Sequence, residues 1–330
     1  MARTKTISTY LSPATYRENV KKIPTRNGYG DGVVQAGKKN EDVIVLCCDL
    51  TDSTRSKQFK DAFPERFIQM GIAEQSMAGV AGGLALEGKV PFISSYAAFS
   101  PGRNWEQIRL VACLQNQNIK IMGAHAGVSV GPDGATHQML EDIAIMRVLP
   151  NMTVLSPCDF LEAKRAVIDA AKLDGPVYIR FGRSATPSFT TAKTPFKIGR
   201  AEIFKDGSDV AIIGCGPLVH EALMAAKMLK EKGIDAMVIN AHTIKPLDRK
   251  TIVAAAKKCG AVVTVEEAQC TGGLGGAVAE CLAKDQPTPM QFVAVHDRFG
   301  TSGTPDELMH EFELDRKAIV AAALEVVKMK

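Results

Sequence analysis

Glu74 sits in the run Gly71-Ile72-Ala73-Glu74-Gln75, between a strand-like stretch at 66–70 and a helix-like run of small residues at 77–86. An acid in the first turn of a helix has an ordinary explanation, because the helix dipole favours negative charge there. The polar residues elsewhere in the chain give Glu74 a second meaning. Asp133 and His137 lie on a glycine-containing loop, Asp133-Gly134-Ala135-Thr136-His137-Gln138, which follows a strand-like run at 119–124, and His125 closes that run. Loops at the carboxyl ends of parallel strands are where α/β sheets bind ligands. Arg180 and Arg183 end another strand-like run in the same way. Together these residues suggest a polar, phosphate-seeking pocket with an acid beside it.

The elements that must position them follow a βαβ rhythm. Short, nearly all-apolar runs at 43–49, 90–96, 119–124, 152–156 and 177–181 read as strands buried on both faces. Stretches such as 75–86 and 105–115 between them read as helices, and Ser156 with Pro157 and Asp159 predicts a helix capped at Ser156. The segment 184–199 has no clear period and reads as a linker. A second strand series follows at 209–214, 236–241, 261–266 and 290–296, and Thr304-Pro305-Asp306-Glu307 announces the last helix with a capping box. The expected organisation is an arm (1–24), an α/β domain (25–183), a linker (184–199) and a second α/β domain (200–330). Both domains should be doubly wound, with mostly parallel sheets.

Three glycine motifs invite a ligand that they do not support. Gly30-Asp31-Gly32 opens like a motif that holds a metal ion and a diphosphate, but such a motif needs an Asn about two dozen residues later, and none occurs between Asn40 and Asn104. It reads as a flexible start to a helix running toward Lys38. Gly214-Cys215-Gly216 lacks the third glycine of a dinucleotide fingerprint, Val219 standing in its place. The run 272–276 offers a phosphate cradle, although close helix packing explains its glycines better.

Bulk composition narrows the class. The chain has 330 residues, a net charge of +4 and eight cysteines without a CxxC pair. That cysteine pattern excludes a zinc knuckle or a disulfide framework and predicts reduced, buried thiols, hence a cytoplasmic protein. The charge is too small and dispersed to propose nucleic acid, no apolar run is long enough for a membrane, and the polar N-terminus suggests no export.

In sequence order, Asp49-Leu50-Thr51-Asp52-Ser53, the GIAEQ run with Glu74, Tyr96–Phe99, the GPDGATHQ stretch through His137, the SPCD run at 156–159 and HDRFGTSGTPDEL at 296–308 resemble the pyrimidine-binding and C-terminal domains of transketolase. The likeness runs from about Thr25 to Leu314. It implies a thiamine-diphosphate enzyme whose diphosphate-binding domain would be a separate N-terminal subunit, as in two-subunit transketolases, with Mg²⁺ held there and an α₂β₂ assembly. Glu74 matches the glutamate that hydrogen-bonds N1′ of the aminopyrimidine and so activates the cofactor, which does the hard chemistry. Tyr96 and Phe99 match the aromatic lining of the pyrimidine pocket, and Asp49 an aspartate near cofactor and sugar. Arg26, Ser53, His125 and Arg183 fall where the family grips a sugar phosphate. Asp133 and His137 fall where it reads sugar hydroxyls near the reacting carbonyl. In one respect the chain departs from the family. Ser100-Pro101-Gly102-Arg103 replaces a more regular helical run, which leaves Arg103 with no assigned place.

The implied reaction is transfer of a two-carbon ketol unit from a ketose phosphate to an aldose phosphate. The alternatives are another sugar specificity, including a deoxyxylulose-phosphate-synthase-like reaction, and an E1β-like subunit of a 2-oxo-acid dehydrogenase. In the synthase the His125 position looks like arginine, and in E1β the DGxTHQ stretch is replaced. A degenerate oligomerisation or regulatory module is the non-enzyme alternative. The retained polar set speaks against it.

Overall fold

The computed structural model describes residues 10–17 and 19–330. Its first half runs through β1 (Lys22–Pro24), α1 (Thr25–Lys39), β2 (Val43–Cys47), α2 (Thr51–Thr54), α3 (Lys57–Ala62), β3 (Phe67–Gln69), α4 (Glu74–Leu86) and β4 (Val90–Tyr96). It continues with α5 (Trp105–Gln107), which passes into a π-helical stretch at Ile108–Leu114, then β5 (Lys120–Ala124), α6 (Asp142–Arg147), β6 (Thr153–Leu155), α7 (Phe160–Ala170), β7 (Val177–Arg180) and β8 (Ala185–Pro187). The second half comprises β9 (Glu202–Lys205), β10 (Val210–Gly214), α8 (Leu218–Glu231), β11 (Ala236–Asn240), β12 (Thr243–Lys245), α9 (Arg249–Cys259), β13 (Val262–Gln269), α10 (Leu274–Asp285), β14 (Met290–Val295), α11 (Pro305–Glu311) and α12 (Arg316–Val327).

Two large open sheets result, as the βαβ rhythm requires, and β1 with β8 forms a separate two-stranded one. The seven-stranded sheet has the order β12-β6-β7-β5-β4-β2-β3, parallel except for β12, which comes from the second half and pairs antiparallel with β6. The five-stranded sheet, β14-β13-β10-β11-β9, is parallel except for β9. Strands β2, β4 and β5 are almost wholly buried, which is why they read as continuous apolar runs. One hydrophobic cluster joins Leu46, Ile121 and Tyr178 of the first sheet to Ile213, Ile239 and Val262 of the second, so the halves share a core.

Several sequence expectations change in detail. The cap of α7 is Asp159, whose carboxylate accepts from the Glu162 amide, while Ser156 precedes the helix and bonds across to residue 242. Asp159 also accepts from the amides of Phe189 and Thr190, so it fastens the following segment as well as starting the helix. The capping box at Thr304 is present but opens α11, and a separate helix, α12, follows it. Part of the 184–199 segment is ordered as β8, paired with β1.

The glycine motifs are packing devices. In Gly30-Asp31-Gly32, all within α1, a Cβ on Gly30 would lie 1.9 Å from Gln58 Oε1, and one on Gly32 would lie 2.9 Å from the Lys164 carbonyl. With Gly28, these residues let α1 lie against α7 and the turn after α2. At 272–276 the start of α10 is already filled from within, because Glu266 accepts from the amides of Leu274 and Gly275 at 2.7 Å each. Burial nevertheless pushes the Glu266 carboxyl up to about 7.

Candidate active site

The site is built at the carboxyl ends of β2, β4 and β5. Glu74 is the first residue of α4 and is buried, 1% exposed. Its Oε1 accepts from Ser95 Oγ on β4 at 3.1 Å, and its Oε2 accepts from Arg103 Nη1 at 2.7 Å. Asn104 fixes the backbone beneath it, donating to the Glu74 carbonyl at 3.1 Å. A buried carboxylate needs such partners, since desolvation of an unpaired charge costs several kcal/mol.

Beside Glu74, β4 ends in an aromatic wall. Tyr96 stacks on His125 with centroids 3.8 Å apart, and lies nearly parallel to Phe99 at 6.0 Å. His137 meets the Phe99 ring edge-on at 5.5 Å, so the connections after β4 and β5 converge. The Nδ1 of His137 is hydrogen-bonded to Thr136 Oγ1 at 2.9 Å, which leaves the other ring nitrogen for a ligand.

On the far side of Tyr96 is a cationic pocket. Arg26, in the first turn of α1, donates to the Ser53 carbonyl at 2.8 Å and to His125 Nε2 at 3.2 Å. An imidazole that accepts at Nε2 carries its proton on Nδ1, and Nδ1 is buried with no hydrogen-bond partner among the described residues. Burial, reinforced by Arg26, Arg183 and Arg55, depresses the His125 pKa to about 3, so the ring is neutral. Arg183 reaches the Val130 carbonyl at 2.7 Å and Asp133 at 4.0 Å. Burial and the like charges of Arg55 and Arg183 also lower the pKa of Arg26. A cluster of cations that destabilise one another is suited to an incoming anion.

The structure thus brings together Glu74, Tyr96, Phe99, His125, His137, Arg26, Arg183 and Asp133, with Ser53 entering through its carbonyl. Asp49 is exposed with φ +56° and lines an open cavity of about 400 Å³ with Ser53. Among the described residues, no hydrogen bond or ion pair joins Asp49 to Glu74 or to the aromatic wall. Arg180 is a correction to the phosphate pocket inferred from the sequence. It is buried, ion-paired with Asp142 at 2.8 Å, and donates to the Glu267 carbonyl at 2.7 Å, so it ties the two halves together. A larger cavity, about 540 Å³, lies where the halves meet and includes none of the candidate residues. Sequence reasoning missed Ser95, Asn104 and Arg55, and left Arg103 unplaced. No local motif marks them, because each acts through a contact made only by folding.

These features agree with what the chain is similar to. Residues 21–188 match the pyrimidine-binding domain of transketolase and residues 199–319 its C-terminal domain. The chain belongs to the transketolase family. A transketolase C-terminal section from Methanocaldococcus jannaschii is 44% identical over 306 residues, covering 92% of this chain and 96% of that protein. A solved split-gene transketolase, described as an inactive β4 tetramer, is 44% identical, with a TM-score of 0.86 and coverage of 93% of this chain and 99% of the other. Human transketolase is 39% identical over 305 residues, which cover 91% of this chain and 48% of the human protein. This transketolase-family chain therefore matches split C-terminal subunits over nearly their whole length and single-chain relatives over about half.

The family depends on thiamine diphosphate. The residues present fit the aminopyrimidine end of that cofactor: a buried carboxylate, both oxygens of which accept hydrogen bonds, beside parallel aromatic faces. Among the described residues no group of three acidic, His or Cys side chains could hold a metal ion. No helix there is long and apolar enough to cross a membrane.

Proposed function

We propose that this chain is the aminopyrimidine-binding subunit of a cytoplasmic two-subunit transketolase, which transfers a two-carbon ketol unit from a ketose phosphate to an aldose phosphate. Mg²⁺ and the diphosphate of the cofactor would be held by an N-terminal partner subunit in an α₂β₂ assembly. The observation that carries this reading is the convergence of the buried Glu74, the Tyr96–Phe99 wall and the cationic pocket in one cleft.

Each residue has a defined task in that scheme. Bound thiamine diphosphate would supply the carbon nucleophile that takes up the ketol unit. Glu74 would hold a proton at N1′ of the aminopyrimidine, positioned by Ser95 and Asn104. Tyr96 and Phe99 would give the ring flat apolar faces. Arg26, Arg183 and neutral His125, with Ser53, would grip the distal phosphate and align the carbonyl at the other end of the sugar. Asp133 and His137 would bond the sugar hydroxyls, and His137 would exchange a proton next to the reacting carbonyl. Asp49 would lie toward the sugar at the rim of the site.

An assembly between subunits is supported by the outer face of α4. Val80 is exposed there, 41%, and Ile72 in the turn just before the helix is 75% exposed; added Cβ atoms at Gly79 and Gly83 would meet nothing within 4 Å. Relatives named as a 6-deoxy-6-sulfo-D-fructose transketolase subunit and an apulose-4-phosphate transketolase subunit are 40% and 35% identical, so the sugar taken differs among similar chains. The test is reconstitution with the diphosphate-binding subunit, followed by assay on a panel of phosphorylated and sulfonated ketoses and on pyruvate. Ketol transfer that requires both subunits supports the reading; full turnover by this chain alone, or decarboxylation of pyruvate, refutes it.

A further inference from the structure

The turn that departs from the family pattern is built to deliver one side chain. Gly102 packs so tightly that a Cβ there would lie 2.1 Å from the Ala98 carbonyl, so only glycine lets the chain fold back after Phe99. Buried Asn104 then staples the turn, donating both to the Glu74 carbonyl and to Ser100 Oγ at 3.2 Å. Between these two anchors Arg103 extends to Glu74 Oε2 at 2.7 Å, with its guanidinium carbon 4.9 Å from the centre of the Phe99 ring. The arginine side chain is 45% exposed, while the carboxylate it pairs with is buried. It approaches from the open side of the cleft.

A guanidinium is a planar cation with N–H donors directed in its plane. An aminopyrimidine protonated at N1′ shares two of those features: it is a flat cation, and its ring N–H points outward in the plane. Arg103 therefore already meets the two demands that the proposed cofactor would make, a donor on Glu74 and a flat group against Phe99. We infer that Arg103 is an internal stand-in for the aminopyrimidine, holding the Glu74 side chain in place in the cofactor-free subunit and giving it up when the cofactor binds. This rests on the thiamine-diphosphate reading of the site.

The consequence is competition. The cofactor gains Glu74 only after Arg103 leaves it, so an intact Arg103 weakens cofactor binding while supporting the empty subunit. Without it, the buried carboxylate would face Ser95 alone.

The experiment compares wild type, Arg103→Met and Arg103→Lys, each reconstituted with the diphosphate-binding subunit, for the Kd of thiamine diphosphate at saturating Mg²⁺, measured by calorimetry. Thermal unfolding of each isolated chain is recorded in parallel. Removing the competitor in Arg103→Met should tighten cofactor binding about tenfold, ~1.4 kcal/mol, while lowering the Tm of the isolated chain. Arg103→Lys, which keeps the charge but not the planar fork, should fall between the two. An unchanged Kd, or weaker binding, in a folded variant overturns the inference, because Arg103 would then be idle or part of the occupied site. If the Met variant does not fold, the Lys variant alone decides by the same sign. Glu74→Ala is measured alongside: wild-type cofactor affinity in that variant would refute the thiamine reading itself, separately from the role of Arg103.

Discussion

Replacing Arg26 by Ala removes the side chain on which the cationic pocket turns. Arg26 donates at 2.8 Å to the Ser53 carbonyl and at 3.2 Å to His125 Nε2, so it is pre-positioned for an anion without further ordering. A hydrogen bond to a charged partner contributes about 1.5–3 kcal/mol, equivalent to roughly a 10- to 100-fold fall in kcat/KM. Most of the fall should appear in KM, because the phosphate is bound in both ground and transition states. Loss of the bond to Ser53 would also loosen the α2 turn, which would act on every substrate equally. Steady-state kinetics of the reconstituted enzyme with a ketose phosphate and with its unphosphorylated analogue separate the two effects. The phosphorylated substrate should suffer at least about tenfold more. An equal loss on both substrates would show that Arg26 only shapes the turn, and the anion pocket would have to be abandoned.

Other consequences follow from the same contacts. Arg180→Met strands Asp142, buried and bonded to Tyr178, and should destabilise the isolated chain by about 3–5 kcal/mol. Urea unfolding checks this, and a loss below about 1 kcal/mol would contradict a strut role. Asp31→Ala should leave activity of the reconstituted enzyme near wild type, since among the described residues the partly exposed Asp31 carboxylate pairs with Lys164 alone, at 3.5 Å. A collapse of activity would revive the metal-motif reading of Gly30-Asp31-Gly32. Burial depresses the pKa of His242 to about 3. Below the unfolded value near 6.5 the unfolded chain binds a proton that the folded one refuses, so His242 costs stability as pH falls from about 6.5 toward 3. Unfolding of His242→Asn across that range should show a shallower acid loss than wild type; parallel curves would mean that the ring is protonated when folded.

The strands that carry the site were readable because burial on both faces leaves an apolar run that few other structures produce. The candidates stood out for a related reason: His125 directly follows such a run, and Glu74 and His137 lie on the connections after β3 and β5, where a parallel sheet presents its loops. Arg180 shows the limit of that rule. It ends β7 as Arg183 nearly does, yet its side chain turns into the junction between the halves and meets Asp142, a partner 38 residues away. Nothing local distinguishes an arginine that will be buried in an ion pair from one left for a ligand. The cap of α7 went to Asp159 in place of Ser156 because three further donors, at Phe189 and Thr190, also use that carboxylate. Arg103 was invisible for a third reason: its role depends on a tight glycine turn and on Asn104 reaching back to Glu74 across 30 residues. Short strands such as β9 and β12 owe their pairing to neighbours distant in sequence and had no period of their own.

Central to the proposed function is Glu74, the acid that one polypeptide would present to a cofactor anchored by another. The most direct measurement is kcat of the reconstituted complex carrying Glu74→Ala, with assembly followed by analytical ultracentrifugation. Ketol transfer should fall at least about a hundredfold, the scale of a lost acid–base group, while the complex assembles as the wild type does. An intact Glu74→Ala complex that retains transfer within about tenfold of wild type would contradict it.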